Sequence, residues 1–534
     1  MSAPTPDRPI GWLRPAALVL SFAMLLLVAW AGPSAAKPGL GPRGWAPGDL
    51  PVSLSSAAVT ALLWTAYLLG AGAVALGLWR GPGIDDRVAW FRSPVWSRTW
   101  PLALGALALL TAPIGSADHL NYAAYGRIQA QGGDPYVVPP ITWGGGVDPV
   151  TSAVQPPWTM TPSVYGPFST ALQTLSSLVG QDNLRQTVWV WQLFIVGAWL
   201  LVRFLLQRAA DGDSGRARVD LLWTTNPLVF GVAVLGAHVD LIATALALAA
   251  VVLASRRPWI AGLVLGAAVS TKITYGIVGL AILWSWRALS RKSLSGHVIG
   301  LAVSSLTVFG LLHWWAGPHV FEQLLKAGKG VSLATAWRPI VNGLSVLMPL
   351  DAARAVVSVA SIAAIVLLSW LLSRVALSSP NSLSSPNSQS SPNSQSSPNS
   401  QSTPTQPASS QSTFTPLTPA QQTQSAMTAT FVLATAYAVG APYALPWYDA
   451  LVWATLPLML ATALDGILLA RLTVMAMAYV PGRVVAMSPE VESLTLGFRK
   501  VVGPLAAWLV LLAIAGVARR GWSRAERTPR PRVP

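Results

Sequence analysis

Long apolar segments separated by short basic loops dominate this chain and restrict it to one class of fold. Of its 534 residues, 53% are hydrophobic and only 10% are charged. Such a composition leaves too few polar residues to cover a water-soluble core. Because a helix needs about 20 mostly apolar residues to cross a bilayer, we predict an all-α polytopic membrane protein with roughly 12–14 transmembrane helices.

The basic residues indicate which loops face the cytoplasm. The net charge is +16, and Lys and Arg gather at the ends of apolar segments, as they do in cytoplasmic loops. The charge is therefore a topological signal that also attracts anionic lipids, and it does not indicate nucleic-acid binding. The clusters are Arg80, Arg87, Arg92 and Arg98; Arg208, Arg216 and Arg218; Arg256 and Arg257; Arg287, Arg291 and Lys292; and Arg519, Arg520, Arg524, Arg527, Arg530 and Arg532.

Placing these clusters inside the cell gives the predicted crossings. They lie near residues 15–31, 57–79, 101–115, 188–207, 221–236, 241–254, 259–270, 273–286, 298–315, 353–372, 427–440, 450–464, 467–479 and 501–517. The first segment resembles a signal peptide with a small-residue stretch at Ser34-Ala35-Ala36, but its length favours an uncleaved helix.

Composition also divides the chain. Residues 1–377 form an N-terminal transmembrane module, which we expect to be catalytic. Residues 378–424 are rich in Ser, Pro, Asn and Gln and repeat the hexapeptide Ser-Pro-Asn-Ser-Gln-Ser, so they cannot bury a core and are predicted to be a disordered cytoplasmic linker. Residues 425–518 add C-terminal transmembrane helices, and residues 519–534 form a basic cytoplasmic tail.

We expect the functional site in one polar, aromatic loop between two crossings, residues 118–182. A short helix is predicted from Asp118 to Gly132-Gly133, and on it Asp118 and Tyr122 share a face. Asp118 is either the cap of that helix or a general base for a hydroxyl nucleophile. The loop also contributes Asp134 and four tyrosines, Tyr122, Tyr125, Tyr136 and Tyr165, whose rings either stack against sugars or pack against helices.

Ionisable residues in two later connections fall on the same predicted face. His238 and Asp240 lie in one connection and Lys272 in the next, and Arg338 lies in a second outer loop. Charges near the apolar zone are functional candidates, although Lys272 can also snorkel to the interface. If His238, Lys272 and Arg338 converge with the first loop, they make a cationic pocket for a phosphate. A His/Asp pair offers too few ligands to predict a metal.

Together these motifs resemble the actinobacterial polyprenyl-phosphomannose-dependent α-1,6-mannosyltransferases of lipomannan synthesis, which have the GT-C fold of membrane glycosyltransferases. The resemblance implies a GT-C-like bundle with a long first extracytoplasmic loop and Asp118 as general base. One departure is Asp134, where many relatives have Asn, so its role stays open among a second acid, a metal ligand and a turn residue. The matching segments are Asp118, Gly132-Gly133-Asp134-Pro135-Tyr136, Tyr165-Gly166-Pro167, Asn226-Pro227, His238-Val239-Asp240, Lys272 and Pro442-Tyr443-Ala444-Leu445-Pro446-Trp447-Tyr448.

The resemblance also implies the reaction. We expect inverting transfer of mannose from a polyprenyl-phosphate-mannose donor to a (lipo)mannan-type glycan or glycolipid, on the extracytoplasmic face of the plasma membrane. His238, Lys272 and Arg338 would bind the donor phosphate, and Tyr122, Tyr125, Asp134, Tyr136, Tyr165 and Asp240 would bind sugar. No cofactor is expected, with a divalent metal left open. The alternatives are a transporter or flippase of a lipid-linked sugar, and a GT-C transferase with another sugar donor.

Overall fold

The protein is a bundle of helices. A computed structural model describes residues 12–80, 94–328, 330–377, 417–482 and 485–527. About 75% of the described residues are helical, and they contain no β-strand beyond an isolated bridge between Ser34 and Lys37. The predicted all-α polytopic class is confirmed.

Twenty α-helices follow one another along the described residues. They are α1 Leu13–Trp30, α2 Ser56–Arg80, α3 Pro94–Leu109, α4 Asp118–Ala130, α5 Pro167–Gly180, α6 Leu184–Ala209, α7 Gly212–Val219, α8 Pro227–Val229, α9 Asp240–Ala254, α10 Pro258–Thr271, α11 Ile277–Ser285, α12 Arg291–Ala316, α13 His319–Ala327, α14 Trp337–Leu347, α15 Leu350–Leu377, α16 Pro419–Gly440, α17 Ala450–Thr455, α18 Ala463–Tyr479, α19 Pro489–Gly497 and α20 Gly503–Arg527. Short π-helices at Asp220–Thr224 and Phe230–Leu235, and 3-10 turns at Ile273–Gly276 and Pro446–Asp449, lie between them.

Six helices within the described residues are long and apolar enough to cross a membrane. They are Leu13–Trp30, Ser56–Trp79, Leu184–Ala209, Arg291–Ala316, Leu350–Val375 and Pro489–Arg520. A seventh span is possible if Gly212–Leu235 and Asp240–Ala254, which meet at an angle of 113°, count as one broken crossing. Shorter apolar helices such as Pro258–Thr271 must rely on neighbours to reach both faces. The total of 12–14 crossings stays a prediction.

The first long loop is more structured than the sequence analysis predicts. The short helix from Asp118 is present as α4, but α5 at Pro167–Gly180 is not anticipated. The helix α5 is difficult to predict because it buries Ser, Thr and Gln against the bundle and exposes apolar side chains. A helix on the surface of a soluble protein does the reverse. The buried residues include Ser169, Thr170, Gln173, Ser176 and Ser177, and the exposed ones Leu175, Leu178 and Val179.

Several predicted boundaries differ from the structure, and three of the differences bear on the domain limits. The crossing predicted at 450–464 is shorter, because α17 ends at Thr455 and a turn containing Pro457 follows. The helix α16 starts at Pro419, capped by Thr418, and so takes in the last residues of the predicted linker. The helix α20 continues through Arg527, into the predicted tail. Linker residues 378–416 and tail residues 528–534 lie outside the described residues.

An ion-pair network holds the loop after α4. The Arg127 Nε atom lies 3.0 Å from Asp148 Oδ2, and Arg127 also pairs with Asp182. The other Asp148 oxygen, Oδ1, accepts hydrogen bonds from the backbone N–H groups of Val150 and Thr151, both at 3.0 Å. Burial alone would raise the pKa of Asp148, but these backbone donors and Arg127 outweigh it and hold the pKa below its ordinary value.

This depressed pKa predicts an acid-sensitive loop. A carboxyl group with a lower pKa in the folded state contributes stability that is complete above its unfolded pKa of about 3.9 and is lost as the pH falls through the folded value. We expect the melting temperature of purified protein to fall less steeply below about pH 4 in Asp148→Asn than in the wild type. Asp213→Asn, at a fully exposed side chain, is the control. Equal slopes in Asp148→Asn and wild type would contradict the assignment.

Candidate active site

Asp118 occupies the first turn of α4. The preceding segment is fixed by backbone hydrogen bonds from Ile114 to Leu235 and from Gly115 to Ala36, each at 2.9 Å. Ala117 is the N-cap residue and Asp118 is the first helical residue. The capping interpretation of Asp118 is therefore not what the structure shows. Its carboxylate, about one-sixth exposed, points instead toward His238, with Oδ2 at 3.4 Å from Nδ1.

His238 lies where the chain breaks between the π-helix Phe230–Leu235 and α9. Ala237 adopts a positive φ of 52°, and its carbonyl accepts a hydrogen bond from Trp191 Nε1 at 2.8 Å. The imidazole of His238 is buried and stacks on Trp447, with ring centroids 3.5 Å apart and planes at 11°. The break thus holds the imidazole between an indole and a carboxylate.

Lys272 lies at a second break, between α10 and the Ile273–Gly276 turn. Its Nζ is 2.6 Å from Asp240 Oδ1 and 3.3 Å from the centroid of the Tyr448 ring. Tyr275 donates a hydrogen bond from Oη to the Asp240 carbonyl at 3.0 Å. The ammonium is therefore held by a buried carboxylate and by the face of a tyrosine, which are both favourable partners for a cation.

The C-terminal helices complete this cluster. Trp447 and Tyr448 come from the Pro446–Asp449 turn, outside the N-terminal module predicted to be catalytic. Asp449 is buried and bonds Arg471 of α18 through both carboxylate oxygens, at 3.0 and 3.1 Å. This segment belongs to the family motif seen in the sequence, but no site role is predicted for it. Its signal is a proline followed by two aromatics inside an otherwise apolar segment.

The tyrosines of the first loop pack against one another beside Asp118. The Tyr122 ring lies 5.0 Å from the rings of both Tyr165 and Trp191. The Tyr125 hydroxyl donates to the Thr161 carbonyl at 2.9 Å, and burial raises the pKa of Tyr125 above its ordinary value. Tyr122 and Tyr125 are buried, which is the packing alternative of the sequence analysis, whereas Tyr165 is partly exposed.

Asp134 and Tyr136 make their contacts at a different place. Asp134 Oδ1 accepts a hydrogen bond from the backbone N–H of Tyr136 at 2.8 Å, and Oδ2 lies 2.9 Å from His319 Nδ1. The Tyr136 hydroxyl is 2.7 Å from Thr170 Oγ1, and its carbonyl accepts from Gln323 at 2.9 Å. These bonds tie the loop to α5 and α13, and the Asp134 carboxylate contacts the backbone of its own turn.

The predicted cationic pocket does not include Arg338, and carboxylates lie next to its other two residues, His238 and Lys272. Arg338 lies in the first turn of α14, where its guanidinium is 3.5 Å from the Val331 carbonyl. Within the described residues it contacts neither Asp118 nor Lys272. Two carboxylates face the other two residues: Asp118 lies 3.4 Å from His238, and Asp240 lies 2.6 Å from Lys272. The described residues contain no group of three or more His, Asp or Glu side chains placed to hold a metal ion.

Close backbone packing sets the position of Lys272. The Gly166 N–H donates to the Thr271 carbonyl at 3.1 Å, and a Cβ added at Gly166 would lie 2.1 Å from the Ser270 carbonyl oxygen. Gly166 follows Tyr165 directly, so the Tyr-Gly-Pro motif rests against the Lys272 turn.

We therefore expect Gly166→Ala to lower the free energy of unfolding by about 1–3 kcal/mol, through overpacking, and to reduce activity by displacing Lys272. Chemical denaturation followed by tryptophan fluorescence measures the first effect. Gly197→Ala is the matched control, because a Cβ there meets nothing within 4 Å and α6 gains helix propensity. Equal stability of the two variants would contradict the close approach.

Comparison with known proteins identifies the family. Residues 19–289, half of the chain, match the family described as alpha-(1->6)-mannopyranosyltransferase, N-terminal domain. The chain belongs to this family. The matched residues of this mannopyranosyltransferase domain include Asp118, His238 and Lys272, and the family resemblance seen in the sequence is confirmed.

Individual relatives agree with this assignment. The chain is 29% identical to alpha-(1->6)-mannopyranosyltransferase A of Mycobacterium tuberculosis over 293 residues, 53% of this chain and 54% of the relative. It is 30% identical over 246 residues to a probable alpha-(1->6)-mannopyranosyltransferase of Mycolicibacterium smegmatis, 39% of this chain and 43% of the relative. A third, alpha-(1->6)-mannopyranosyltransferase B of Corynebacterium glutamicum, is 24% identical over 37% of this chain and 36% of its own.

The chain therefore spans about half the length, or less, of the curated relatives it matches. No solved structure matches it. Apolar helices and family membership together make it a multi-pass membrane protein of a glycosyltransferase family.

Proposed function

We propose that the protein transfers mannose from a polyprenyl-phosphate-mannose donor to a mannan-type glycan or glycolipid, with inversion. The observation that carries this proposal is the meeting of Asp118, His238 and Lys272 at one end of the bundle. Asp118 Oδ2 lies 3.4 Å from His238 Nδ1, and Asp240, two residues after His238, lies 2.6 Å from Lys272 Nζ. A carboxylate base and a cation for a leaving phosphate are the two groups that such a transfer needs.

In the proposed step, Asp118 takes the proton from an acceptor hydroxyl as that oxygen bonds to the anomeric carbon. The bond from the anomeric carbon to the phosphate oxygen breaks on the opposite face, and its electron pair leaves with the polyprenyl phosphate. A β-linked donor therefore gives an α-linked product. Since an ammonium carries three N–H donors, Lys272 can bind the phosphate while it keeps its bond to Asp240.

In this proposal, some of the other predicted site residues lie beside the reacting groups and others lie farther away. Asp240 and Tyr165 lie beside the reacting groups, and Tyr122 and Tyr125 support Tyr165 from behind. We place Arg338, Asp134 and Tyr136 in the outer loops, where they contact α13, α14 and the neighbouring turns. The isoprenoid tail and surrounding lipids are the remaining partners. The site end of the bundle is proposed to face outward from the plasma membrane, because the basic loops mark the other side.

The experiment is a transfer assay with purified protein in liposomes. Radiolabelled polyprenyl-phosphate mannose and a short α-mannoside acceptor are supplied, with GDP-mannose and polyprenyl-phosphate glucose as competing donors in parallel reactions. We expect labelled elongated mannoside from the mannosyl lipid alone. Movement of labelled lipid across the bilayer without a new glycosidic bond would support a flippase, and product from the glucosyl lipid would change the sugar.

A further inference from the structure

The short helix α13 has a buried face and an exposed apolar face. Val320 and Gln323 are buried, whereas Phe321 is half-exposed and Leu325 is 74% exposed. Phe321 and Leu325 are four residues apart and share one side of the helix, with Gln323 on the opposite side. A helix in contact with water would bury the phenyl ring and the leucine and expose the amide. The exposed side of α13 therefore suits a nonpolar neighbour.

The buried face of α13 is attached to the first loop. Gln323 donates a hydrogen bond from Nε2 to the Tyr136 carbonyl at 2.9 Å, and His319 Nδ1 lies 2.9 Å from Asp134 Oδ2. The Tyr136 hydroxyl is in turn 2.7 Å from Thr170 Oγ1 on α5. These contacts fix the rotation of α13 about its own axis. The apolar side therefore stays turned away from the first loop.

The exposed face of α13 follows directly on the exposed surface of a span. The span α12 exposes large apolar side chains along its length, among them Leu311 and, in its last turn, Trp314, which is 84% exposed. The helix ends at Gly317, whose φ of 83° turns the chain toward α13. The Phe321 ring then lies 5.2 Å from the ring of His313, in the last turn of α12. Exposed apolar side chains of a membrane-spanning helix contact lipid, and an exposed tryptophan at its end is typical of the membrane–water boundary. The bilayer is therefore the nonpolar neighbour that reaches α13.

The chain returns to the membrane with a similar apolar end. Val346 and Leu347, at the end of α14, are 83% and 81% exposed, and Leu350 begins the span α15. Exposed apolar residues thus lie both where the chain leaves the membrane and where it re-enters. Lipid is present at both places, because α12 and α15 both cross the bilayer.

We propose that α13 lies in the membrane–water boundary, with Phe321 and Leu325 among the lipid acyl chains. Amphipathic helices in this position bury their apolar face about 5–10 Å into the boundary between head groups and acyl chains. The two contacts of its buried face then anchor the first loop to the bilayer, and Asp134 is one end of that link. The proposal concerns how the first loop is held, so it does not depend on which sugar the protein transfers.

Spin labels test the contact with lipid. The sequence contains no cysteine, so a single introduced cysteine is labelled specifically. Leu325→Cys and Phe321→Cys carry a nitroxide in protein reconstituted into liposomes of phosphatidylcholine and phosphatidylglycerol. Collisions of each label with oxygen, which concentrates in lipid, are compared with collisions with a water-soluble nickel chelate. We expect both labels to favour oxygen, at a depth of about 5–10 Å below the head groups.

Two exposed positions supply the reference values. Val359 is 70% exposed within the span α15, so the label on Val359→Cys reports lipid. The Asp213 side chain is 100% exposed near the start of α7, so the label on Asp213→Cys reports water. The labels on α13 should resemble the first of these and not the second.

A further label tests the link to the first loop. Val137 is exposed and follows Tyr136 directly, so a nitroxide on Val137→Cys reports the motion of that turn. We expect its spectrum to narrow, as the label becomes more mobile, when His319→Ala and Gln323→Ala are combined. Glu322→Ala changes an exposed side chain of the same helix and should leave the spectrum unchanged.

Three results would overturn the proposal. They are α13 labels that meet the nickel chelate as freely as the label on Asp213→Cys, α13 labels that meet neither reagent because protein covers them, and equal mobility of the Val137→Cys label with and without the link. Melting temperatures identify a variant that has not folded. Wild-type protein in liposomes with a photoreactive phosphatidylcholine then decides the lipid contact, because mass spectrometry should find crosslinks within α13, and their absence there would contradict the proposal.

Discussion

Asp118→Asn is expected to lower the turnover number for mannosyl transfer by about 10²–10⁴-fold, the contribution of a positioned general base. The amide keeps the size of the side chain, but it does not accept a proton at neutral pH. Since the carboxylate makes a 3.4 Å contact with His238 and does not cap α4, its loss costs little packing. Substrate binding and melting temperature should therefore stay close to wild type, while single-turnover transfer falls.

The control for this variant is Asp351→Asn. Asp351 lies in the first turn of α15, its side chain is 92% exposed, and it pairs with Arg354 at 3.4 Å. Both variants remove one negative charge from the chain, so a general charge effect would appear in both. Full turnover by Asp118→Asn would remove Asp118 from the catalytic role.

Arg471→Met is expected to have the largest effect on stability. The guanidinium bonds both oxygens of Asp449 and also the Ala438 carbonyl at 2.7 Å, and both side chains are at most 5% exposed. Removing one partner of a buried pair leaves the other charge uncompensated and costs about 3–5 kcal/mol of unfolding free energy. Activity should fall as well, because Asp449 fixes the turn that carries Trp447 and Tyr448.

A double variant separates the effect of the ion pair on stability from the effect of side-chain packing. Arg471→Met with Asp449→Leu removes both charges, and replacement of a buried ion pair by apolar side chains is often close to neutral. We expect it to recover most of the lost stability in chemical denaturation. Arg354→Met breaks an exposed pair and should cost less than about 1 kcal/mol. An Arg471→Met protein as stable as the Arg354→Met protein would contradict the account.

The sequence allows the membrane class and the helix order to be predicted because both depend on local composition. Apolar length gives the long helices, and the two breaks at residues 236–239 and at Lys272 coincide with ionisable residues between apolar segments. The family resemblance follows from short motifs in a fixed order. These features need no knowledge of which helices are neighbours.

What the sequence does not reveal depends on long-range packing. The pairing of Lys272 with Asp240, and of Asp118 with His238, joins residues 32 and 120 positions apart in the chain. Trp447 and Tyr448, which join the site, follow the linker in the chain. The polar buried face of α5 cannot be predicted, because its Ser and Thr residues are also typical of a loop. Arg338 is predicted to join the pocket because the sequence does not show how its loop folds.

The stereochemistry of the product shows whether Asp118 activates an acceptor hydroxyl for direct displacement at a lipid-linked mannose. Purified protein is given β-linked polyprenyl-phosphate mannose labelled with ¹³C at the anomeric carbon and a synthetic α-mannoside acceptor, and the product is examined by NMR. We expect an α-linked labelled mannose, formed by the wild type and not by Asp118→Asn. A β-linked product, or an α-linked product made equally well by Asp118→Asn, would contradict it.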